Sequence, residues 1–182
     1  MAFNARTGLI TLSLIAAVLV PAALPAEALA QGGGCVLVPD KHHPDDRVLR
    51  CGRDLTVRPA AGTAYHPLDR GEPGPPAAVQ LDFGDLLIEF RHSKGQRDFQ
   101  ILTPEAIASV RGTRWAVERM PGRTSVLVLR GAVAVTRAGA DAGAPVVLRR
   151  GEGVDVDAGD APLQVKRWKR ERVKALLALF PP

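Results

Sequence analysis

Aromatic residues are scarce in this 182-residue chain, with two Trp, one Tyr and five Phe. A core with so few rings has to be aliphatic, and Val at alternating positions then points to β-structure. No phosphate-cradling glycine loop, dinucleotide fingerprint or Gly-x-Ser-x-Gly elbow occurs, which removes the usual signatures of nucleotide and hydrolase chemistry. Cysteine is reduced to Cys35 and Cys51, spaced too widely for a CxxC redox pair. Helical periodicity is missing until the last dozen residues. A general charge excess is missing as well. The net charge of +5 is accounted for between Val165 and Lys174, where six cations (Lys166, Arg167, Lys169, Arg170, Arg172, Lys174) face one anion, Glu171. A basic face spread over the whole surface is therefore excluded, and with it a nucleic-acid-binding role.

What is present begins with a leader. Arg6 gives residues 1–30 a modest positive start, Leu9 to Leu24 is uncharged and apolar, and Ala28-Leu29-Ala30 has the small-x-small cleavage pattern. These features predict a signal peptide cut after Ala30, with Gln31 as the new N-terminus and the protein in the periplasm or secreted. The apolar stretch is shorter than the ~20 residues that span a bilayer, and Pro21 and Pro25 interrupt its end. In an oxidising compartment, two cysteines of one small domain pair. A Cys35–Cys51 disulfide would add about 3 kcal/mol in the chain-entropy model.

Residues 31–78 read as an N-terminal arm with two short extended candidates, Cys35–Val38 and Asp54–Arg58. A long surface loop is expected over Gly62–Pro76, which carries four prolines and three glycines. Ordered structure is expected to begin in earnest near Val79. From there to residue 168, short alternating apolar runs separated by glycine give a β-domain. Three runs share a phrase: Val110-Arg111-Gly112, Leu129-Arg130-Gly131 and Arg149-Arg150-Gly151 each lead into a strand. Their glycines lie 19 and 20 residues apart, a period that suits one coil of a β-solenoid as well as a row of hairpins in a sandwich. The fold class is thus all-β, either solenoid-like (β-helix-like) or sandwich-like, with a C-terminal amphipathic helix. In that helix, residues 169–182, Val173, Leu176, Leu177 and Phe180 share one face and Pro181-Pro182 stop the chain. The apolar stripe is expected to cap an open edge of the β-domain.

The stretch from Phe99 to Val117, FQILTPEAIASVRGTRWAV, resembles the signature of the FecR protein domain: a strand, Thr103-Pro104, an Ala-x-Val-Arg-Gly-Thr and a large apolar residue before Val117. Its continuation through Thr124–Thr136, Val146–Leu148 and Gly151-Glu-Gly-Val is similar to that family too, as is Val79–Ile88 upstream. The resemblance spans roughly Asp54 to Lys166. It implies an all-β domain outside the cytoplasmic membrane, with no catalytic residues to carry over. Family members that regulate iron uptake carry a cytoplasmic sigma-factor-binding region and a membrane helix before this domain. Only eight residues precede the apolar stretch here, so the periplasmic domain is expected without the anti-sigma region.

Within the motif, Thr103-Pro104 should end a strand, since proline cannot donate to a ladder. Arg111-Gly112-Thr113 should form a corner in which Arg111 bonds carbonyls or a carboxylate, and Trp115 and Val117 should point inward. Gly131 and Gly151 should repeat the corner. His42-His43-Pro44-Asp45-Asp46 has metal-ligand residue types, but adjacent histidines in extended chain point apart, so a solvated loop is the better reading. A small metal-dependent hydrolase using His42 and His43 is the weakest alternative. Ser93, Ser109 and Ser125 lack companion motifs, the pairs Asp82/Asp85 and Asp155/Asp157 occur at turns and on alternating strands, and Asp155 and Asp157, flanking Val156, read as solvent-facing.

These observations describe an exported protein that is not an enzyme and needs no cofactor or metal. Its expected role is that of an envelope signalling, scaffold or protein-interaction module whose partner is another envelope protein. The alternative is a protein that docks on anionic lipid or wall polymer through the basic helix.

Overall fold

The computed structural model describes residues 34–40, 47–68, 76–92, 98–139 and 143–180. The leader, its cleavage site, the His42–Asp46 cluster, Ser93 and the two terminal prolines lie outside the described residues. Among the described residues thirteen strands precede one helix: β1 (Cys35–Pro39), β2 (Arg47–Cys51), β3 (Leu55–Pro59), β4 (Ala64–Leu68), β5 (Ala78–Phe90), β6 (Phe99–Leu102), β7 (Ala106–Val110), β8 (Thr113–Met120), β9 (Arg123–Arg130), β10 (Ala132–Arg137), β11 (Val146–Arg149), β12 (Glu152–Asp157), β13 (Lys166–Arg167) and α1 (Arg170–Leu177).

The strands form one curled mixed sheet with two halves, and β5 belongs to both. Its first part, from Ala78, pairs with β4 and, in parallel, with β6; its second part, from Gly84 to Phe90, pairs with β3 and β8. One half runs β4-β5-β6-β7-β10-β11. The other runs β1-β2-β3-β5-β8-β9-β12-β13. Every pairing except β5 with β6 is antiparallel. A solenoid needs parallel coils, so of the two expected arrangements the pairing is sandwich-like.

The bend in β5 falls at Gly84, where φ is +92° and a Cβ would sit 2.7 Å from Thr63 Oγ1. Only glycine tolerates both conditions. Thr63 locks the bend: its hydroxyl donates to the Asp85 carbonyl and accepts from the Asp85 amide, both at 3.1 Å.

Between the halves lies the aliphatic core. Val79, Leu81, Ile101, Val133, Val135 and Leu148 meet Leu55, Val57, Ile88, Trp115, Val117, Val126 and Val156 there, each at most 1% exposed. The segment before Val79 is part of this architecture, because β3 pairs with β5 and carries Leu55 and Val57 into the core. The long loop expected over Gly62–Pro76 contains β4, an edge strand whose Pro67 costs the sheet nothing on its open side. Cys35 and Cys51 are register partners at the β1–β2 hairpin, with their Sγ atoms 2.00 Å apart.

The helix lies on a face of the sheet and not, as its stripe suggested, at an edge. Leu87, Ala116, Leu127 and Gly153 are successive register partners across β5, β8, β9 and β12, and they make an apolar row on the side away from the core. Leu176, Phe180 and Trp168 pack on that row. Eight residues are too few for a helix to persist alone in water, so this contact is what holds α1 in place. The β-domain expected to run to residue 168 ends with the two-residue strand Lys166–Arg167, because the chain then leaves the sheet edge to lay Trp168 across Gly153. A Cβ at Gly153 would lie 2.3 Å from Trp168 Nε1 and 2.7 Å from the Val126 carbonyl oxygen.

Gly153→Ala should therefore lift the indole from its seat and lower stability by about 1–3 kcal/mol, as overpacked sites do. A reduced urea midpoint with red-shifted tryptophan emission is the expected result. An unchanged midpoint would mean that Trp168 does not seat the helix.

Candidate functional site

Two clusters use the residues singled out in the sequence. The first is the motif Thr103–Trp115. Thr103 Oγ1 donates to the Ala106 carbonyl and accepts from its amide, closing the turn between β6 and β7 around Pro104. Glu105, 8% exposed, then faces Arg119 on β8, with Nη2 to Oε1 at 3.1 Å and Nε to Oε2 at 3.4 Å. Thr124 on β9 reaches both Thr103 Oγ1 and Glu105 Oε2 at 2.8 Å, and Arg119 also donates to the Asp82 carbonyl at 2.6 Å. A buried carboxylate is tolerable only with such partners, and here they come from the opposite half of the sheet. Glu105 escaped the sequence reading because a lone Glu after Thr-Pro looks like a solvated turn residue. Arg111 donates to the imidazole Nε2 of His92 at 3.3 Å and not to the expected carbonyl or carboxylate. Gly112, Gly131 and Gly151 occupy corners at φ +77°, +85° and +81°, and Thr113, Trp115 and Val117 are fully buried.

The second cluster is the seat of α1. Next to the apolar row runs a polar one, in which Asp85, Glu118, Ser125 and Asp155 are register partners across the same four strands. Arg172 reaches down from the helix to this row. Its guanidinium bonds Asp155 at 2.6 and 3.0 Å and Ser125 Oγ at 3.1 Å, and it stacks 3.4 Å over the Trp168 ring. Glu118 lies 3.9 Å away. Of the six cations grouped by the sequence, Arg172 alone is thus drawn into the structure, whereas Lys166, Arg167, Lys169, Arg170 and Lys174 are exposed. Arg150, which the sequence reading treated only as part of a corner, lies beside Arg167, Arg170 and Lys174 in an open groove along the helix.

One guanidinium cannot serve three carboxylates equally. The hydrogen bond from Arg172 holds Asp155 below the ordinary carboxylate range, with the Ser125 hydroxyl adding to it and partial burial opposing. Asp85, at the far end of the row, is pushed up to about 6 by burial and then by the charge of Glu118 across the strand pair. Among the described residues no group of three or more His, Cys, Asp or Glu is placed to hold a metal ion. This seat can position a helix and a charge pattern.

Residues 54–134 match the FecR protein family. That span runs from β3 to the start of β10 and includes the bent strand, the buried Glu105–Arg119 pair and the Trp115 core. The fold is similar to two crystal structures from Parabacteroides distasonis ATCC 8503, each described as a "putative anti-sigma factor". The first has a TM-score of 0.52 at 19% identity over 70% of this chain, the second 0.52 at 18% over 80%. This chain spans about three fifths of those structures, 59% and 61% of their lengths. No curated protein matches the sequence.

The raised Asp85 has a consequence for stability. Its folded value of about 6 exceeds the unfolded value of about 3.9, so the folded protein holds this proton more tightly. Its contribution is fully present below about pH 4 and is lost as the pH rises to about 6. Asp85→Asn should flatten the stability profile across that window and leave the variant more stable at pH 7. The gain should be about 1 kcal/mol, because the half-exposed carboxylate is screened by solvent. Urea midpoints at pH 4, 5, 6 and 7 provide the measurement, and parallel profiles for variant and parent would refute the assignment.

Proposed function

We propose that this protein is an exported, non-enzymatic FecR-domain module of the cell envelope that signals or scaffolds by binding another envelope protein. The match of residues 54–134 to the FecR family carries the reading. It is supported by the leader features of residues 1–30 and by the joined Cys35 and Cys51, which suit an oxidising compartment. The fold shared with proteins described as anti-sigma factors adds a regulatory context. Among the described residues no helix is long and apolar enough to cross a membrane. The motif residues themselves, Thr103, Pro104, Gly112, Thr113, Trp115, Gly131 and Gly151, build the scaffold, so recognition falls to side chains outside them. Val36 on the edge strand β1 and Val147 on the edge strand β11 are about half exposed and present such surfaces.

Export is tested by fusing alkaline phosphatase, which folds only where disulfides form, after Pro182. The fusion to residues 1–182 should be active and the fusion to residues 31–182 inactive, and equal activities would overturn the envelope assignment. Binding is tested by placing a photocrosslinking amino acid at Val36 or Val147 in intact cells. A discrete adduct with one envelope protein is expected from at least one position, and its absence from both would overturn the interaction reading.

A further inference from the structure

The groove beside α1 combines features that neither the domain family nor the proposed signalling role explains. It is open, encloses about 1100 Å³ and is rimmed by Arg150, Arg167, Arg170 and Lys174, and no carboxylate lines it. Trp168, Val173 and Leu177 supply apolar surface between the cations. Two of the large apolar side chains that the molecule leaves exposed adjoin it in sequence: Val165, 39% exposed, two residues before Arg167, and Leu179, 47% exposed, directly after Ala178 of the groove wall. Of the nearby acids, Asp155 is bound by Arg172, Glu152 accepts the Arg149 amide at 2.8 Å, and Glu171 in the first turn of α1 does not line the groove. Four cations on the rim against these carboxylates outside it leave the groove net positive.

We infer that this end of the domain docks on an anionic phospholipid bilayer, seating a lipid phosphate among Arg150, Arg167, Arg170 and Lys174 and part of its acyl chain along Val173 and Leu177. Charge complementarity selects an anion, and the apolar component selects the source. An acidic protein surface would satisfy the cations but leave Val165 and Leu179 in water. A bilayer interface takes both kinds of side chain at once, with cations at the headgroups and apolar groups just beneath them. Arg172 contributes indirectly, because its bonds to Asp155 and its stacking on Trp168 fix the wall of the groove. The inference goes beyond the signalling assignment and does not require it.

Flotation of the purified protein with vesicles provides the test. Binding is expected to equimolar phosphatidylglycerol and phosphatidylcholine at 0.1 M NaCl, and not to phosphatidylcholine alone, with release as the salt screens the cations. Each surface cation adds about fivefold to partitioning, so R167E/R170E should weaken binding at least about twentyfold. R53E, the same kind of change in the exposed β2–β3 turn on the opposite flank, should leave binding within about twofold of the parent. Should R167E/R170E fail to match the parent's urea midpoint, R150E/K174E replaces it. Leu179→Asn, which leaves the charge unchanged, should still weaken binding, and lipids brominated near the headgroup should quench Trp168 emission. Failure to bind phosphatidylglycerol vesicles at 0.05 M NaCl would overturn the proposal, as would equal losses from R53E and R167E/R170E. A soluble poly-glutamate peptide that binds in an R167E/R170E-sensitive way while vesicles do not would identify an acidic protein as the occupant, and would overturn it as well.

Discussion

Everything in this fold depends on one strand being able to serve both halves of the sheet. β5 changes direction at Gly84, and the change brings the strands on either side of it into face-to-face contact. Without the bend, the apolar sides of the two halves would lie on one broad ribbon with nothing to cover them, since the chain has too few aromatic residues to bury much surface locally. Thr63 makes the bend specific. A glycine alone permits many backbone directions, and the paired hydrogen bonds between the Thr63 hydroxyl and the Asp85 backbone select one.

Once the halves face each other, their alignment still has to be fixed, because a core of Val, Leu and Ile is tolerant of sliding. The buried polar cluster at one end of the core supplies the directional contact. Glu105 comes from the turn joining β6 to β7, while Arg119 and Thr124 come from β8 and β9 in the other half. Such a cluster adds little net stability after desolvation, yet a misaligned arrangement would strand a carboxylate in an apolar space. Penalties of that kind favour a single register. They also give the Thr-Pro-Glu segment of the motif a physical reason to exist: Thr103 closes the turn and also meets Thr124, so one residue shapes the loop and aims the next but one.

Much of this was readable from the residues, and the parts that were not share a cause. The aliphatic strands after Val79, the corners at Gly112, Gly131 and Gly151, and the inward Trp115 follow from alternation and glycine placement, which are local properties. β4 was hidden because Pro67 and the glycines around it read as loop, and only its position at a sheet edge makes the proline harmless. β2 was missed because Val48 and Leu49 are adjacent and both buried, which breaks the period of two. The seat of the helix left a clearer trace. Leu86-Leu87-Ile88, Trp115-Ala116-Val117 and Val126-Leu127-Val128 are apolar at three consecutive positions, the mark of strands covered on both faces. What no local pattern could show is that their middle residues stand in register, or that Arg172 turns inward while its neighbours stay in solvent.

That register matters for how the charge of the chain is displayed. The basic segment is too short to be a stable helix by itself, so its cations have no fixed arrangement until Leu176, Phe180 and Trp168 settle on Leu87, Ala116 and Leu127. The surface presented by the C-terminus is accordingly set by strands from the middle of the chain. Arg172 completes the coupling, since its bonds to Asp155 and Ser125 fix the rotation of the helix about its axis and hence which cations stand beside the groove. A weakened seat would therefore scatter the cationic surface without changing a single charge, while a charge reversal on the rim would leave the seat intact. Fold and surface charge are joined at Arg172 and Trp168 and are separable everywhere else.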